Sequence, residues 1–387
     1  MLIVLTARCR SFAAMSFFIL LVFADLPLHG QSPPPRPRPY PLMPDATVRN
    51  VILFIGDGMG LAHLSASRLN LKGANGWYTI ECMPVTSLVR TNAGDDFVTD
   101  SAAGATAYAT GHKTNNRMIS ISPDSVKLRT IVEAARDKGL ATGLITMGDD
   151  ITGATPAAFA THVPDRSMYA DIASQYALSG VDILIGSGEK NFLPDSIGGA
   201  RKDNRNVEEE MKRSGYAVVR SIAELDSVQS RKILGFMTVA NESDDKIVGA
   251  TKNALRVLRR NKKGFFLMVE SPLPDHGGHS HDSTAIVDGI LQLDRAVKAA
   301  LEFAQKNKHT LVLVTADHET GGVALTGKGK HESGVNVVFA TGSHTAIPVP
   351  LFAFGPHAIR FTGMKDNTEI ASICGRLLAL PGFPAMK

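Results

Sequence analysis

Aspartate, glutamate and histidine recur at the ends of apolar runs in this 387-residue chain. Asp57 follows Val51-Ile52-Leu53-Phe54-Ile55, and Glu270 closes Phe265-Phe266-Leu267-Met268-Val269. Asp275, His276, His279, His281 and Asp282 come next, in a short stretch that reads as a Gly- and Pro-containing loop. Asp317-His318 closes the run that starts at Thr310, and His344 precedes one more apolar segment. Imidazole nitrogen and carboxylate oxygen are the standard ligands of zinc, so strand ends supplying both can feed more than one metal ion. Singly, each has a plainer role. Asp57, in Gly56-Asp57-Gly58-Met59-Gly60, could cap the helix that follows, and His281 and Asp282 could simply start a helix. His344 alone reads as a hydrogen-bonded structural histidine.

A second stretch offers a nucleophile. In Phe97-Val98-Thr99-Asp100-Ser101-Ala102-Ala103-Gly104, Asp100 or Ser101 caps a helix of small residues. A serine there meets unpaired backbone N–H groups and the positive end of the helix dipole, which suits an anionic group. Taken alone, the stretch is also an ordinary N-cap.

The elements that must position these residues alternate. Strands are expected at Val51–Ile55, Ala141–Met147, Asp182–Gly186, Ala217–Arg220, Lys232–Met237, Gly264–Glu270, Thr310–Asp317 and Pro350–Phe354. Helical patterns fall at Leu61–Leu71, Leu128–Lys138, Met168–Ser179, Val207–Ser214, Asp245–Arg260, Ser283–Lys306 and Thr368–Leu380. The alternation implies an α/β fold: one domain, a mostly parallel central sheet and helices on both faces. Ligands of such sheets gather at the carboxyl ends of strands, where the acids and histidines lie.

Residues 1–30 read as a signal peptide, with Arg8 and Arg10 ahead of a short apolar segment; a membrane anchor is the other reading. Residues 31–47 form a proline-rich linker that should be extended and outside the core, and 48–387 the folded domain. An exported, periplasmic or extracellular protein follows, with no membrane span after signal removal. Cys82 and Cys374 remain, as one disulfide or as two buried thiols. A net charge of +4, without a basic stripe carrying aromatics, argues against nucleic-acid binding. The run Arg256–Lys263 reads as a solvated helix C-terminus.

Together the motifs resemble those of alkaline phosphatases. The resemblance rests on Gly56-Asp57-Gly58-Met59-Gly60, Thr99-Asp100-Ser101-Ala102-Ala103, and Ala154-Thr155-Pro156-Ala157-Ala158 with His162 and Arg166. It continues through Glu270, Asp275 and His279, Thr315-Ala316-Asp317-His318-Glu319-Thr320-Gly321-Gly322, and Gly342-Ser343-His344. It runs from about Val51 to Leu380 and is closest to the small bacterial secreted type, because little chain separates Gly322 from His344. The family implies two zinc ions and one magnesium ion. Asp275, His279 and His344 would hold one zinc, and Asp57, Asp317 and His318 the other. Asp57, Thr155 and Glu270 would hold magnesium. Ser101 would be the nucleophile and Arg166 the phosphate clamp, with His276 a candidate contact to substrate or metal water. Small phosphomonoesters would be the substrates, cleaved through a phosphoserine intermediate, and a homodimer is a possible assembly.

Two departures stand out. Gly153 lies two residues before Thr155, where relatives carry Asp or His near the magnesium hydration shell. Ser271-Pro272-Leu273-Pro274 replaces a glycine-containing stretch. Other readings are a phosphodiesterase of the same superfamily and a binding relative without turnover. The nucleophile region lacks the Cys/Ser-x-Pro-x-Arg pattern of sulfatases. Loss of turnover would predict a missing Ser101, Arg166 or zinc ligand, and all are present.

Overall fold

The computed structural model describes residues 39–238, 245–328 and 335–384, all within one compact unit. The signal-peptide expectation, and the linker up to residue 38, lie outside the described residues. The strands are β1 Asn50–Gly56, β2 Val85–Arg90, β3 Ala141–Asp150, β4 Ile183–Ser187, β5 Ala217–Val219, β6 Ile233–Phe236, β7 Phe265–Ser271 and β8 Thr310–Thr315. They continue as β9 Glu319–Thr320, β10 Val323–Lys328, β11 Val335–Phe339, β12 His344–Thr345, β13 Val349–Phe354 and β14 Met364–Asp366.

Ten of them form one sheet in the order β14-β2-β13-β8-β1-β7-β3-β4-β6-β5. Every pairing is parallel except those of β13 with β2 and β8. β1, β7, β8 and β13 are buried along their whole length, as strands covered by helices on both faces must be. The long helix Ser283–Asn307 lays an apolar stripe, including Ile286, Ile290, Leu293, Val297 and Leu301, into that core. The α/β expectation therefore describes the fold.

Local differences have physical causes. β2 has no continuous apolar run; Val85, Ser87 and Val89 face inward while Thr86 and Arg90 are exposed, the alternation of a strand with one solvated face. The stretch expected as a loop after Glu270 is a helix, Leu273–Ser280. Proline near its start is tolerated because the missing N–H has no helical partner there anyway. Its glycines pack closely: a Cβ on Gly277 would stand 2.7 Å from the Asp282 carbonyl oxygen. Asp282 does cap the long helix, accepting hydrogen bonds from the Thr284 and Ala285 N–H groups. In residues 39–47, Tyr40 departs from the expected spacer. It donates its N–H to the Cys82 carbonyl and sets its ring edge-on to Phe354. Cys82 and Cys374 are separate buried thiols. Among the described residues no helix is long and apolar enough to cross a membrane.

Candidate metal and phosphate site

Four adjacent strands, β8, β1, β7 and β3, present acidic groups at their carboxyl ends: Asp317, Asp57, Glu270 and Asp149. The register aligns them, since Ile55 lies level with both Glu270 and Thr315, and Thr146 with Glu270. Gly58 turns the chain sharply after Asp57 at φ +69°, and a Cβ there would meet Asp275 Cα and Thr320 Oγ1 at 2.7 Å. Only glycine lets this turn lie against both neighbours. The two-residue strand β12 pairs with β9, setting His344 opposite Thr320 and drawing it over the sheet.

The histidines show what this arrangement lacks in protein partners. His279 Nδ1 lies 2.8 Å from the Gly342 carbonyl oxygen, and His344 Nδ1 lies 2.9 Å from that of Thr99. A carbonyl only accepts, so in the neutral rings both Nδ1 atoms carry the proton and both Nε2 atoms are bare lone pairs. Those two Nε2 atoms face each other at 3.1 Å. The Asp275 carboxylate approaches them at 3.4 and 3.5 Å. His318 repeats the pattern: the Thr320 hydroxyl donates to Asp275 and so accepts from His318 Nδ1, 3.1 Å away. His318 Nε2 is left facing Asp57 at 3.3 Å, Asp317 at 3.4 Å and the Ser101 hydroxyl at 3.2 Å. Asp57 Oδ1 and Asp317 Oδ2 are buried without a hydrogen-bond partner among the described residues.

Lone pairs pointing at carboxylates repel unless a cation stands between them. Burial, then the charges of Asp317, Asp275 and Glu270, hold the Asp57 carboxyl well above the usual range. Burial and Asp275 push Asp317 up to about 7. Burial also holds His318 and His344 below the ordinary imidazole value. The donor atoms of Asp275, His318 and His344, and those of Asp57, Asp317 and His318, form two groups in which all lie within 4.8 Å of one another. His318 belongs to both groups, and His279 adds its Nε2 atom to the first.

Ser101 opens the helix Ser101–Thr110, all of which is buried. Gly104 brings this helix against the end of β8; a Cβ there would sit 2.9 Å from the Asp317 carbonyl oxygen. Asp100 is the cap. Its Oδ1 accepts the Ala103 N–H at 2.9 Å, while Oδ2 takes the Arg117 N–H and the Arg166 guanidinium, both at 3.1 Å. Arg166, Asp100, Thr99, His279 and His344 line a cleft of ≈ 620 Å³, ample for a small ester.

Behind Asp57 lies a third cluster. Glu270 Oε2 and Thr155 Oγ1 are buried with no hydrogen-bond partner among the described residues. Burial, then the charge of Asp149, pushes Glu270 up to about 8. Thr155 sits in a single helical turn, Ala154–Ala158, capped by Gly153.

Two singled-out histidines lie apart from these groups. His162 has both ring nitrogens engaged, by the Ser120 carbonyl and by Glu133, which is a structural role. His276 is solvent-exposed and lies near Asp149. Three positioning roles are not legible in the sequence, where Asp100 reads only as a candidate helix cap. Thr320 sets the His318 tautomer, Asp100 holds Arg166, and Glu319 ties its loop to the Gly322 and Val323 N–H groups. Thr320 and Glu319 could have been found as polar residues directly after the Asp-His pair.

Fold and site together define an α/β protein with a metal-ligand centre at the carboxyl ends of its central strands. The chain belongs to the alkaline phosphatase family, whose model matches residues 48–340. Alkaline phosphatase 3 of Bacillus subtilis (strain 168) is 31% identical over 416 residues, covering 84% of this chain and 87% of the relative. The solved alkaline phosphatase from the Antarctic bacterium TAB5 superposes with a TM-score of 0.80 at 33% identity, covering 87% of this chain and 99% of that one. A His-to-Asp mutant of the TAB5 enzyme, with Mg bound in the M3 site, matches at a TM-score of 0.79 and 31% identity over the same shares.

Proposed function

We propose that the protein is a metal-dependent phosphomonoesterase that works through Ser101. The observation that carries this is the convergence of bare histidine Nε2 atoms and unpartnered carboxylate oxygens beside a serine hydroxyl at a helix N-terminus. Asp275, His279 and His344 would hold one zinc ion, and Asp57, Asp317 and His318 the second. Asp57, Glu270 and Thr155, an all-oxygen set, suit magnesium. When bound, the zinc ions would supply Lewis acidity, lowering hydroxyl pKa values and stabilising the leaving oxygen.

The chain's own groups do the rest. Ser101 Oγ attacks phosphorus, the ester P–O bond breaks, and the alcohol leaves. Water then attacks the phosphoserine, its P–Oγ bond breaks, and inorganic phosphate and free serine result. Arg166 offers two parallel N–H donors to non-bridging oxygens, and its pairing with Asp100 aims it. The helix N-terminus adds partial positive charge where the transferred group collects it. Export is proposed from the arginine-flanked apolar segment at the chain start.

The test is hydrolysis of p-nitrophenyl phosphate against its methyl diester, with metal content measured on the same sample. A higher kcat/KM for the monoester, widened by added magnesium, is expected. Preference for the diester at saturating magnesium would make the protein a phosphodiesterase instead.

A further inference from the structure

The end of β3 carries two consecutive acids in different situations. Asp150 is fully engaged: Oδ1 accepts from the Ser187 hydroxyl at 2.8 Å and Oδ2 from the Asn191 amide at 3.1 Å. Asp149 uses Oδ1 for the Asp150 N–H at 2.7 Å, while its Oδ2 accepts no hydrogen bond among the described residues. That second oxygen lies over Gly153, 3.2 Å from where a Cβ would stand. The same Cβ would meet the Asp150 carbonyl oxygen at 2.9 Å. A side chain at 153 is therefore shut out by the backbone, and the space is taken by the carboxylate of Asp149. Just beyond Gly153, Thr155 Oγ1 is buried with no hydrogen-bond partner among the described residues, and so is Glu270 Oε2 on the neighbouring strand. After burial, the Asp149 charge is the largest influence raising Glu270, so the two acids stand close; burial raises Asp149 as well, despite the opposing charges of His276 and Arg166.

We propose that Asp149 supplies a second carboxylate to the divalent-cation site of Glu270 and Thr155, filling the volume left open by Gly153. The inference rests on the reading of that cluster as a magnesium site. Two carboxylates and a hydroxyl form a hard, all-oxygen donor set that favours hydrated Mg²⁺ over zinc. Asp150, one residue on, contributes only to the fold, because both of its oxygens are already engaged.

The experiment is calorimetric titration of the zinc-loaded full-length protein with MgCl₂, with zinc counted by mass spectrometry. Wild type, Asp149→Asn, Asp149→Ser, Glu270→Gln and Asp150→Asn are compared. Asp149→Ser can keep a hydrogen bond to the Asp150 N–H while removing the charge, so it answers for the case in which Asp149→Asn misfolds. Both Asp149 variants should weaken Mg²⁺ binding about tenfold or more, the scale of losing a carboxylate at a metal site, with zinc content unchanged. Asp150→Asn should bind Mg²⁺ as wild type does. If Glu270→Gln loses Mg²⁺ and the Asp149 variants keep it, the proposal fails and the magnesium site stands. If zinc-loaded wild type takes up no Mg²⁺, the site reading fails and the proposal with it.

Discussion

Two buried charged groups, the acids at the carboxyl ends of the central strands and Arg201 on the flank beside the helix Tyr169–Ser179, are built on opposite terms. On the flank, Arg201 is 1% exposed, yet every side of its guanidinium is answered. It donates to both Asp203 oxygens, to the Ala170 and Asn191 carbonyls and to the Ser174 hydroxyl. At the strand ends, Asp57, Asp317 and Glu270 are also buried, and each keeps an oxygen with no hydrogen-bond partner among the described residues. Buried charge in a settled interior is paired; buried charge that awaits a cation is not. That contrast identifies a binding centre without a bound ion in view.

The largest effect expected at the strand ends is chemical. Ser101→Ala should lower phosphatase turnover by about 10³-fold or more, since an activated nucleophile has no local substitute. Its melting temperature and zinc content should stay near wild type, and no phosphoenzyme should form on acid quench. Phosphate trapped on another residue would remove Ser101 from its role.

Metal content separates the two clusters next. His344→Ala should lose about one zinc ion per chain and most activity, because a three-ligand site has no spare donor. Chelation should lower the wild-type melting temperature by leaving like charges facing one another. Asp317→Asn should then raise the melting temperature of the chelated protein, because it removes one of those charges, and lower that of the zinc-loaded one. The same melting temperature for variant and wild type in both states would mean that no ion stabilises this cluster.

Arg201→Met tests the other half of the comparison. It strands the buried Asn191 carbonyl and breaks the link to Asp203, which together should cost about 1–3 kcal/mol. Thermal unfolding should register a drop of several degrees, while kcat/KM with metals saturating stays unchanged. A matching loss of activity in the folded protein would tie the flank to the site.

The sequence exposed these features unequally. Strand ends such as Asp57, Glu270 and Asp317-His318 were legible because fully buried strands are continuous apolar runs, and the break in the run marks the site. The helix carrying Asp275 and His279 was hidden by its composition. Two glycines and a proline in eight residues read as loop, and tertiary packing against the long helix overrides that weak propensity. It places Asp275 and His279, the two proposed ligands, at i and i+4 on one face. Asp149 was invisible for a different reason. Nothing in the pair Asp149-Asp150 says which acid turns toward Asn191 and which toward Gly153; only the bulged end of β3, where the register with β4 shifts between Ile145 and Asp150, decides it. The motif around Arg166 was readable, but its dependence on Asp100 needed the fold, since 66 residues separate them.

Asp100 belongs to both regimes: it lies inside the site and yet is fully paired. One oxygen caps the Ser101 helix and the other holds Arg166 and the Arg117 N–H, so substitution can separate the two duties. Asparagine is as good an N-cap as aspartate, so Asp100→Asn should keep the cap and lose only the bonds from the Arg117 N–H and Arg166, a small drop in melting temperature. Without the carboxylate charge the guanidinium is less firmly aimed, and inhibition by inorganic phosphate should weaken by a few-fold, about 1 kcal/mol or less for a partly exposed pair. Asp100→Ala should add the loss of the cap, about 1 kcal/mol of stability, to the same weakening. Arg166→Lys should exceed both for phosphate, about tenfold, because it keeps the charge but loses the planar fork. Inhibition constants for phosphate and melting temperatures, measured on the same four proteins, resolve the order. Were Asp100→Asn to weaken phosphate as strongly as Arg166→Lys, the acid would be setting the clamp rather than steadying it, and paired and unpaired charge in this site could no longer be assigned separate duties.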